Sequence, residues 1–212
     1  MLACPMDARL YAPATQRNRE PILAVLKRVL PPTGAVLEIA SGTGEHAVWL
    51  AERLPGLVFQ PSDPLPAHRA SIAAWIAASG LASLRAPLAL DVTTADWETS
   101  AGIPPGLVAI LCINMIHIAP WSAALGLVRG AGAALAAGSV FYLYGPFQRG
   151  GRHTAASNEA FDRSLRAQNP NWGVRDLDTF AALADAAGFA LEELVEMPAN
   201  NLSVILRRRA AA

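Results

Sequence analysis

An open α/β, Rossmann-like fold, with helices on both faces of a mostly parallel sheet, is predicted by three features of the 212-residue sequence. Short apolar stretches alternate with segments of helical periodicity between residues 15 and 144. A glycine-bearing turn, Ser41-Gly42-Thr43-Gly44, stands where the first strand passes into a helix. The chain closes on two strands joined only by Pro198-Ala199-Asn200-Asn201, a link that favours an antiparallel hairpin.

The elements follow in order. Thr15 can cap a helix over 15–30, in which Ile22, Leu23, Leu26, Val29 and Leu30 share a face and Pro31-Pro32 end the run. Residues 35–40 (AVLEIA) form the first strand, 45–54 a helix and 57–60 the second strand. A helix over 66–79 stops at Gly80, and 86–90 is the third strand. Residues 107–113 are apolar throughout, as a central parallel strand requires. A glycine-softened helix over 121–136 and a fifth strand over 139–144 follow. Beyond Gly145 the rhythm changes. A polar loop at 148–154, helices at 158–166 and 177–187, and strands at 191–197 and 202–207 complete the expectation of seven strands, one of them reversed.

Composition narrows the function classes. A 53% hydrophobic content supplies a core, and 16% charged residues argue against disorder. Seventeen basic residues balance seventeen acidic ones, and the arginines are scattered, so bulk charge does not point to nucleic acid. Cys4 and Cys112 do not make a disulfide framework and belong to no cluster with metal-ligand spacing. With no basic-then-apolar leader and no run of about 20 apolar residues, a cytoplasmic protein without membrane contact or metal is expected. One domain over 1–212 is expected, with an N-terminal cap segment (1–32) and a substrate-lid insertion (146–176). It is expected as a monomer or homodimer.

The chemistry concentrates at Glu38-Ile39-Ala40-Ser41-Gly42-Thr43-Gly44-Glu45-His46. Gly42-x-Gly44-x-x-Ala47 formally matches a dinucleotide fingerprint, and Asp63 falls near the end of strand two, where a carboxylate can hold ribose hydroxyls. That pair does not separate NAD from S-adenosylmethionine. Three details favour the latter. Glu38 sits four residues before Gly42, where an anion suits a cationic methionine end better than a diphosphate. Asp91, in Leu90-Asp91-Val92, can accept from an adenine amino group. The terminal hairpin replaces a second nucleotide-binding half. The competing readings are a core ion pair for Glu38, an Asx turn for Asp63 and a turn cap for Asp91.

The strand ends gather further candidates: Asn114 and His117 after strand four, Tyr144 at strand five, and Asn200 and Asn201 in the hairpin turn. His117 is the first candidate base or substrate-orienting group, and Tyr144 can orient the acceptor. His46 is expected to shape the donor loop and His68 to lie at the surface. Tyr11, Asn18 and Arg19 are candidate donor or substrate contacts. Trp172 and Arg175 are candidates to cover the acceptor pocket, Arg175 selecting an anion. Against this stand ordinary packing, a solvated helix face, and a helix-capping role for Asp176.

Arg9 to Ile22, Leu37 to His46, Gln60 to Pro64, Leu111 to Pro120, Tyr144 to Pro146, Asn169 to Asp176 and Met197 to Asn201 together resemble the family catalogued as domain of unknown function nine-thirty-eight, which includes the animal methyltransferase-like twenty-six proteins. Cys112-Ile113-Asn114-Met115-Ile116-His117 and Met197-Pro198-Ala199-Asn200-Asn201 are its distinctive blocks. The resemblance implies a class I methyltransferase fold that takes S-adenosylmethionine and leaves S-adenosylhomocysteine. It supplies no acceptor. A small-molecule methyltransferase is the expected function. A non-catalytic donor-binding or interaction protein, a protein methyltransferase and an NAD-dependent oxidoreductase compete with it. A dehydrogenase Tyr-x-x-x-Lys pair is missing, since Lys27 is the sole lysine. Asn114-Met115-Ile116-His117 stands where amide and adenine N-methyltransferases carry Asn/Asp-Pro-Pro-Tyr/Phe.

Overall fold

The computed structural model describes residues 7–210, so Cys4 lies outside the described residues. Helix α1 (Pro13–Val29) begins with proline in its first turn, two residues ahead of the expected Thr15 start, because proline's fixed φ suits that position and its missing N–H has no helical partner there. Strand β1 (Gly34–Ile39), α2 (Glu45–Arg53), β2 (Leu57–Pro61), α3 (Pro66–Ser79), β3 (Leu107–Ile113), α4 (Trp121–Ala134) and β4 (Val140–Gly145) follow in strict alternation. The remainder comprises β5 (Phe147–Arg149), β6 (Arg152–His153), α5 (Ala156–Gln168), β7 (Arg175–Asp176), α6 (Leu177–Ala186), β8 (Phe189–Met197) and β9 (Asn201–Arg208).

The main sheet has the order β2-β1-β3-β4-β9-β8. β1 to β4 are mutually parallel, and β9 enters antiparallel between β4 and β8. Six strands form instead of the expected seven. Residues 84–88 form no continuous ladder with β2: the backbone pairs at the isolated bridges Phe59–Leu84 and Ser62–Leu88, and Gln60 Nε2 donates to Ala86 O (2.7 Å). The reason is local: Arg85 N donates to Phe59 O, Pro87 has no N–H for the next rung, and Leu88 N donates to Pro61 O instead. The expected polar loop at 148–154 holds the β5–β6 hairpin, which joins β7 in a small second sheet of order β6-β5-β7.

Two apolar layers flank the main sheet. One packs α1 and α2 on Val36, Leu111, Tyr142 and Tyr144; the other packs α4 and α6 on Leu37, Ile110, Phe141 and Leu143. Alternation along each strand assigns the faces. The order of the strands reverses direction at β1, whose successor β2 lies on one side and β3 on the other. A crevice opens beyond the carboxyl ends of strands at such a switch.

The antiparallel joint between β4 and β9 carries one buried polar pair, Tyr142 Oη and Ser203 Oγ at 2.7 Å. Burial holds the Tyr142 phenol well above its ordinary range, so it stays protonated. Tyr142→Phe leaves the Ser203 hydroxyl unpartnered and is expected to cost about 1–3 kcal/mol in urea denaturation, without changing ligand affinity at the strand ends.

Candidate active site

The crevice at the carboxyl ends of β1 to β3 is a cavity of about 410 Å³. Glu38, Ser41, Gly42, His46, Asp63, Val92 and Asn114, all anticipated from sequence, line it. So do Ala12, Ala14 and Thr15 from the start of α1, which lie across it as the cap segment. The cap is tied down by donation from Ala12 N to the Glu45 carboxylate, from Leu10 N to Ser71 Oγ (2.8 Å) and from Trp75 Nε1 to Leu10 O (3.0 Å). Ser71 Oγ in turn donates to Thr43 O (2.7 Å), which links the cap to the turn after β1.

Glu38 is the focal charge. It is 2% exposed, and its Oε2 has no hydrogen-bond partner among the described residues. No arginine reaches it, which disposes of the core ion pair. Burial pushes its carboxyl up to about 7; Ser41 opposes the shift and the nearby Asp63 carboxylate adds to it. A buried, unpaired carboxylate lining a cavity is a receptor for a cation.

The turn after β1 is shaped by alternation. Ala40, Gly42 and Gly44 all take positive φ (53°, 56° and 91°). Ala40 escaped the sequence reading because alanine rarely signals this conformation; the only hint is its even spacing from the two glycines. A Cβ on Gly42 would enter open space, whereas one on Gly44 would lie 2.9 Å from Ile72 Cα. Gly42 thus leaves the backbone bare toward the cavity, and Gly44 lets α3 approach. Asp63 Oδ2 accepts from Gly42 N (2.9 Å), and Oδ1 accepts from Leu65 N (2.9 Å). The Asx turn is real, and it coexists with a place on the cavity wall. His68 stays partly at the surface, as expected, but it also sets Nδ1 3.1 Å from Asp63 Oδ1 and lines the cavity.

Beyond β3, Asn114 adopts φ 60° and receives the chain's turn toward α4. His117 is 3% exposed, stacks edge-on with Phe161 at 5.6 Å, and has an unpartnered Nδ1. Burial, with the Arg175 charge, pushes it down to about 4, so the ring is neutral at physiological pH. Tyr144 lies in the opposite apolar layer with α1. Burial raises its pKa above the ordinary phenol range, and the neighbouring amides of Asn18 and Asn201 oppose the shift. Asn18 also meets His46 Nε2 at 2.8 Å, and burial pushes His46 down to about 4. His46 on the cavity wall thus pairs with Asn18, and Tyr144 stands between Asn18 and the hairpin residue Asn201.

Several expected residues are placed elsewhere, and the two expected catalytic residues, His117 and Tyr144, are buried behind the cavity lining and not part of it. Asp91 is exposed; its Oδ1 accepts from Thr93 N and Thr93 Oγ1 at 2.9 and 2.7 Å, so it caps a turn while apolar Leu90 and Val92 face the cavity. Tyr11 is 58% exposed and packs on Trp75, and Arg19 lies over the Trp49 ring at 3.8 Å. Arg175 is engaged with backbone: Nε donates to Ile116 O, and Nη2 to Ala119 O and Asn171 O. Trp172 is half-buried outside the cavity lining. Asn200 donates to Ser157 Oγ (2.9 Å) and Asn201 to Pro198 O (3.0 Å). Asp176 caps α6 through Thr179 N (2.9 Å), as the competing reading held.

The family pattern described as "Protein of unknown function (DUF938)" matches residues 9–208. Among solved structures, the fold is similar to an O-methyltransferase family protein from Burkholderia thailandensis, with a TM-score of 0.78 and 17% identity over 94% of this chain and 58% of that one. It is also similar to the S-adenosylmethionine-dependent methyltransferase SibL, solved in its apo form, with a TM-score of 0.74 and 23% identity over 92% of this chain and 56% of that one. Human N-acetylserotonin methyltransferase, solved with S-adenosylmethionine, gives a TM-score of 0.72 and 14% identity over 93% and 53%. The chain thus has the methyltransferase Rossmann-like fold and spans less than three fifths of the length of each of these proteins.

The unpaired carboxylate has a stability signature. Glu38 titrates near 7 when folded and near 4.5 when exposed, so between those values the unfolded chain ionises first. Its contribution to stability is fully present below about 4.5 and is lost as pH rises through 7. Roughly 3 kcal/mol is at stake by the linkage of 1.36 kcal/mol per pKa unit. Glu38→Gln is expected to be more stable than the parent at pH 8, with the gap closing at pH 4.5, in urea titrations without ligand.

Proposed function

We propose that this chain, which belongs to the DUF938 family through the match over residues 9–208, binds S-adenosylmethionine in the crevice and transfers its methyl group to a small-molecule acceptor. The observation that carries the reading is the buried Glu38 carboxylate with an unpartnered oxygen on the cavity wall. Such a group complements a cationic donor. A dinucleotide would bring its diphosphate beside Glu38 and Asp63, two buried carboxylates, in a site whose His46 is neutral.

The residues present fit the donor. Glu38 would face its cationic methionine end, and the bare backbone of Gly42 leaves room for close approach. Asp63, oriented by Gly42 N, Leu65 N and His68, would receive ribose hydroxyls. Leu65, Leu90, Val92, Met115 and Ile118 supply apolar wall for a planar base, in place of the expected Asp91 contact. When bound, the donor supplies an electrophilic methyl carbon on sulfur. The protein's part is alignment and water exclusion, which can account for about 7–11 kcal/mol of barrier reduction.

His117 is the residue we assign to the acceptor. Its neutral ring offers a lone pair to an O–H or N–H of the incoming molecule, and a positioned group of this kind contributes about 10²–10⁴ in rate. Structural support includes the S-adenosylmethionine bound to the human N-acetylserotonin enzyme and the S-adenosylhomocysteine bound to PigF, both sharing the fold.

Isothermal titration decides the donor: S-adenosylmethionine is expected to bind and NAD is not, and the reverse would sink the reading. Affinity for the cationic donor is expected to weaken as pH falls below about 7, where Glu38 takes a proton, and Glu38→Gln should remove that limb. His117→Ala should lower turnover by about 10²-fold while leaving donor affinity intact. Unchanged turnover would remove His117 from the mechanism and leave the donor assignment standing.

A further inference from the structure

His46 and His68 both line the cavity, and His46 has one ring nitrogen already committed. It is 9% exposed, and Asn18 Oδ1, 2.8 Å from Nε2, is its one hydrogen-bond partner among the described residues. An amide oxygen only accepts, so Nε2 carries the ring proton and Nδ1 the lone pair. Nδ1 has no partner among the described residues and is not one of the polar atoms sealed from solvent, so it is reached from the cavity. Burial, with the Arg19 charge, pushes the ring down to about 4, which keeps that lone pair free at neutral pH.

Topology sets this ring apart from the end of the crevice that would hold the donor's sugar. In the order β2-β1-β3-β4, Asp63 and His68 stand beyond β2, whereas Asn18 neighbours the Tyr144 hydroxyl at the end of β4. Thr15, one turn before Asn18 on α1, lines the cavity, as does Asn114, whose N–H donates to Tyr144 O (2.8 Å). His46 is therefore turned, through Asn18, toward the β4 side. Among the described residues the lining carries two carboxylates, Glu38 and Asp63, and no lysine or arginine.

Resting on the donor reading above, we infer that His46 is a further specificity-determining residue: its Nδ1 takes a hydrogen bond from an O–H or N–H of the methyl acceptor, and that acceptor is an uncharged or cationic molecule. A ring nitrogen with a bare lone pair attracts a hydrogen and repels the oxygens of a carboxylate or phosphate. Glu38 and Asp63 extend that repulsion by charge, since no cationic side chain of the lining opposes them. An alcohol, a phenol or an amine meets both conditions. Asn18 is then a positioning residue, because it holds the ring proton on the nitrogen that faces away from the cavity.

The test uses probes that share one aromatic body and differ in the group they present. The full chain carrying ¹³C,¹⁵N-labelled histidine, with the His46 ring signals assigned by through-bond correlation to its backbone, is saturated with S-adenosylhomocysteine at neutral pH. It is then titrated with benzyl alcohol, benzylamine, benzoate and toluene. Nδ1 is expected to resonate as an unprotonated ring nitrogen before any probe is added. Benzyl alcohol or benzylamine is expected to shift it as a hydrogen bond forms, and benzoate and toluene are not. A protonated Nδ1, silence toward both X–H probes, or an equal response to benzoate or toluene overturns the proposal. His46→Gln keeps an N–H toward Asn18 and deletes the lone pair. It should weaken benzyl alcohol binding, followed on the probe's own proton signals, by about fivefold or more while its Kd for S-adenosylhomocysteine stays within about threefold of the parent. Undiminished probe binding, or an equal loss for both ligands, overturns the proposal. Should His46→Gln fail to fold, the resonance titration of the parent decides by itself. Failure of S-adenosylhomocysteine to bind defeats the donor reading and this inference with it, whereas binding with a silent Nδ1 defeats this inference alone.

Discussion

A carboxylate with one oxygen buried and unpartnered among the described residues stands at the end of β1, and the rest of the site is arranged around it. Glu38 has been withdrawn from water, stands near a second carboxylate, Asp63, and receives no arginine. An isolated buried ion normally neutralises itself by shifting its pKa, and this one titrates close to neutrality. The site therefore holds a group that a bound cation would fully ionise. The neighbouring polar groups compensate it only in part: Ser41 opposes the shift, Ser62 spends its hydroxyl on the Glu38 carbonyl, and His46 is neutral and turned to Asn18.

How much of this was legible in the sequence depended on whether periodicity or side-chain direction carried the information. Leu107–Ile113 reads as a buried central strand because apolar residues fill both faces, and the structure gives that same span. The glycine turn, Asp63 and the returning hairpin were likewise legible, since each rests on backbone geometry that only certain residues satisfy. Asp91 was not: an acidic residue at a strand end can face the crevice or its own turn, and the hydroxyl and N–H of Thr93 decided for the turn. Neither was the loss of the third strand, although Pro87 carried the signal. His68 sits one turn into α3, where its distance from Asp63 is a matter of tertiary placement that no local pattern encodes.

The polarity and glycines of residues 146–176 suggest a covering lid. These residues are tied together through Asp162, whose carboxylate accepts from Val174 N (2.7 Å) and from Arg166 Nε (2.9 Å). Through Gly173 and Arg175 this block grips the backbone on both sides of His117. Arg175 is thus a brace, its donors committed to carbonyls that the turn after β3 leaves unpaired. Trading surface charge for backbone hydrogen bonds fixes the His117 backbone more firmly than packing alone.

The cap segment and the insertion approach the strand ends from opposite layers of the sheet, and they meet through neutral contacts. Asn18 of the cap reaches both His46 and Tyr144, while Asn201 reaches Tyr144 from the hairpin turn, and Asn200 O accepts from Asn158 Nδ2 (2.9 Å) on α5. Every link in this chain is uncharged at physiological pH except at its cavity end, where Glu38 and Asp63 stand. The charge that would hold a cationic donor is therefore confined to β1 and β2, and hydrogen bonding without formal charge is left for the molecule bound beyond it. Separation of that kind lets one end of the crevice recognise charge while the other recognises shape and hydrogen-bond direction. The neutral His117 ring follows from it, because an imidazolium in the same burial would have to be balanced by a carboxylate that this side of the sheet does not bring to it.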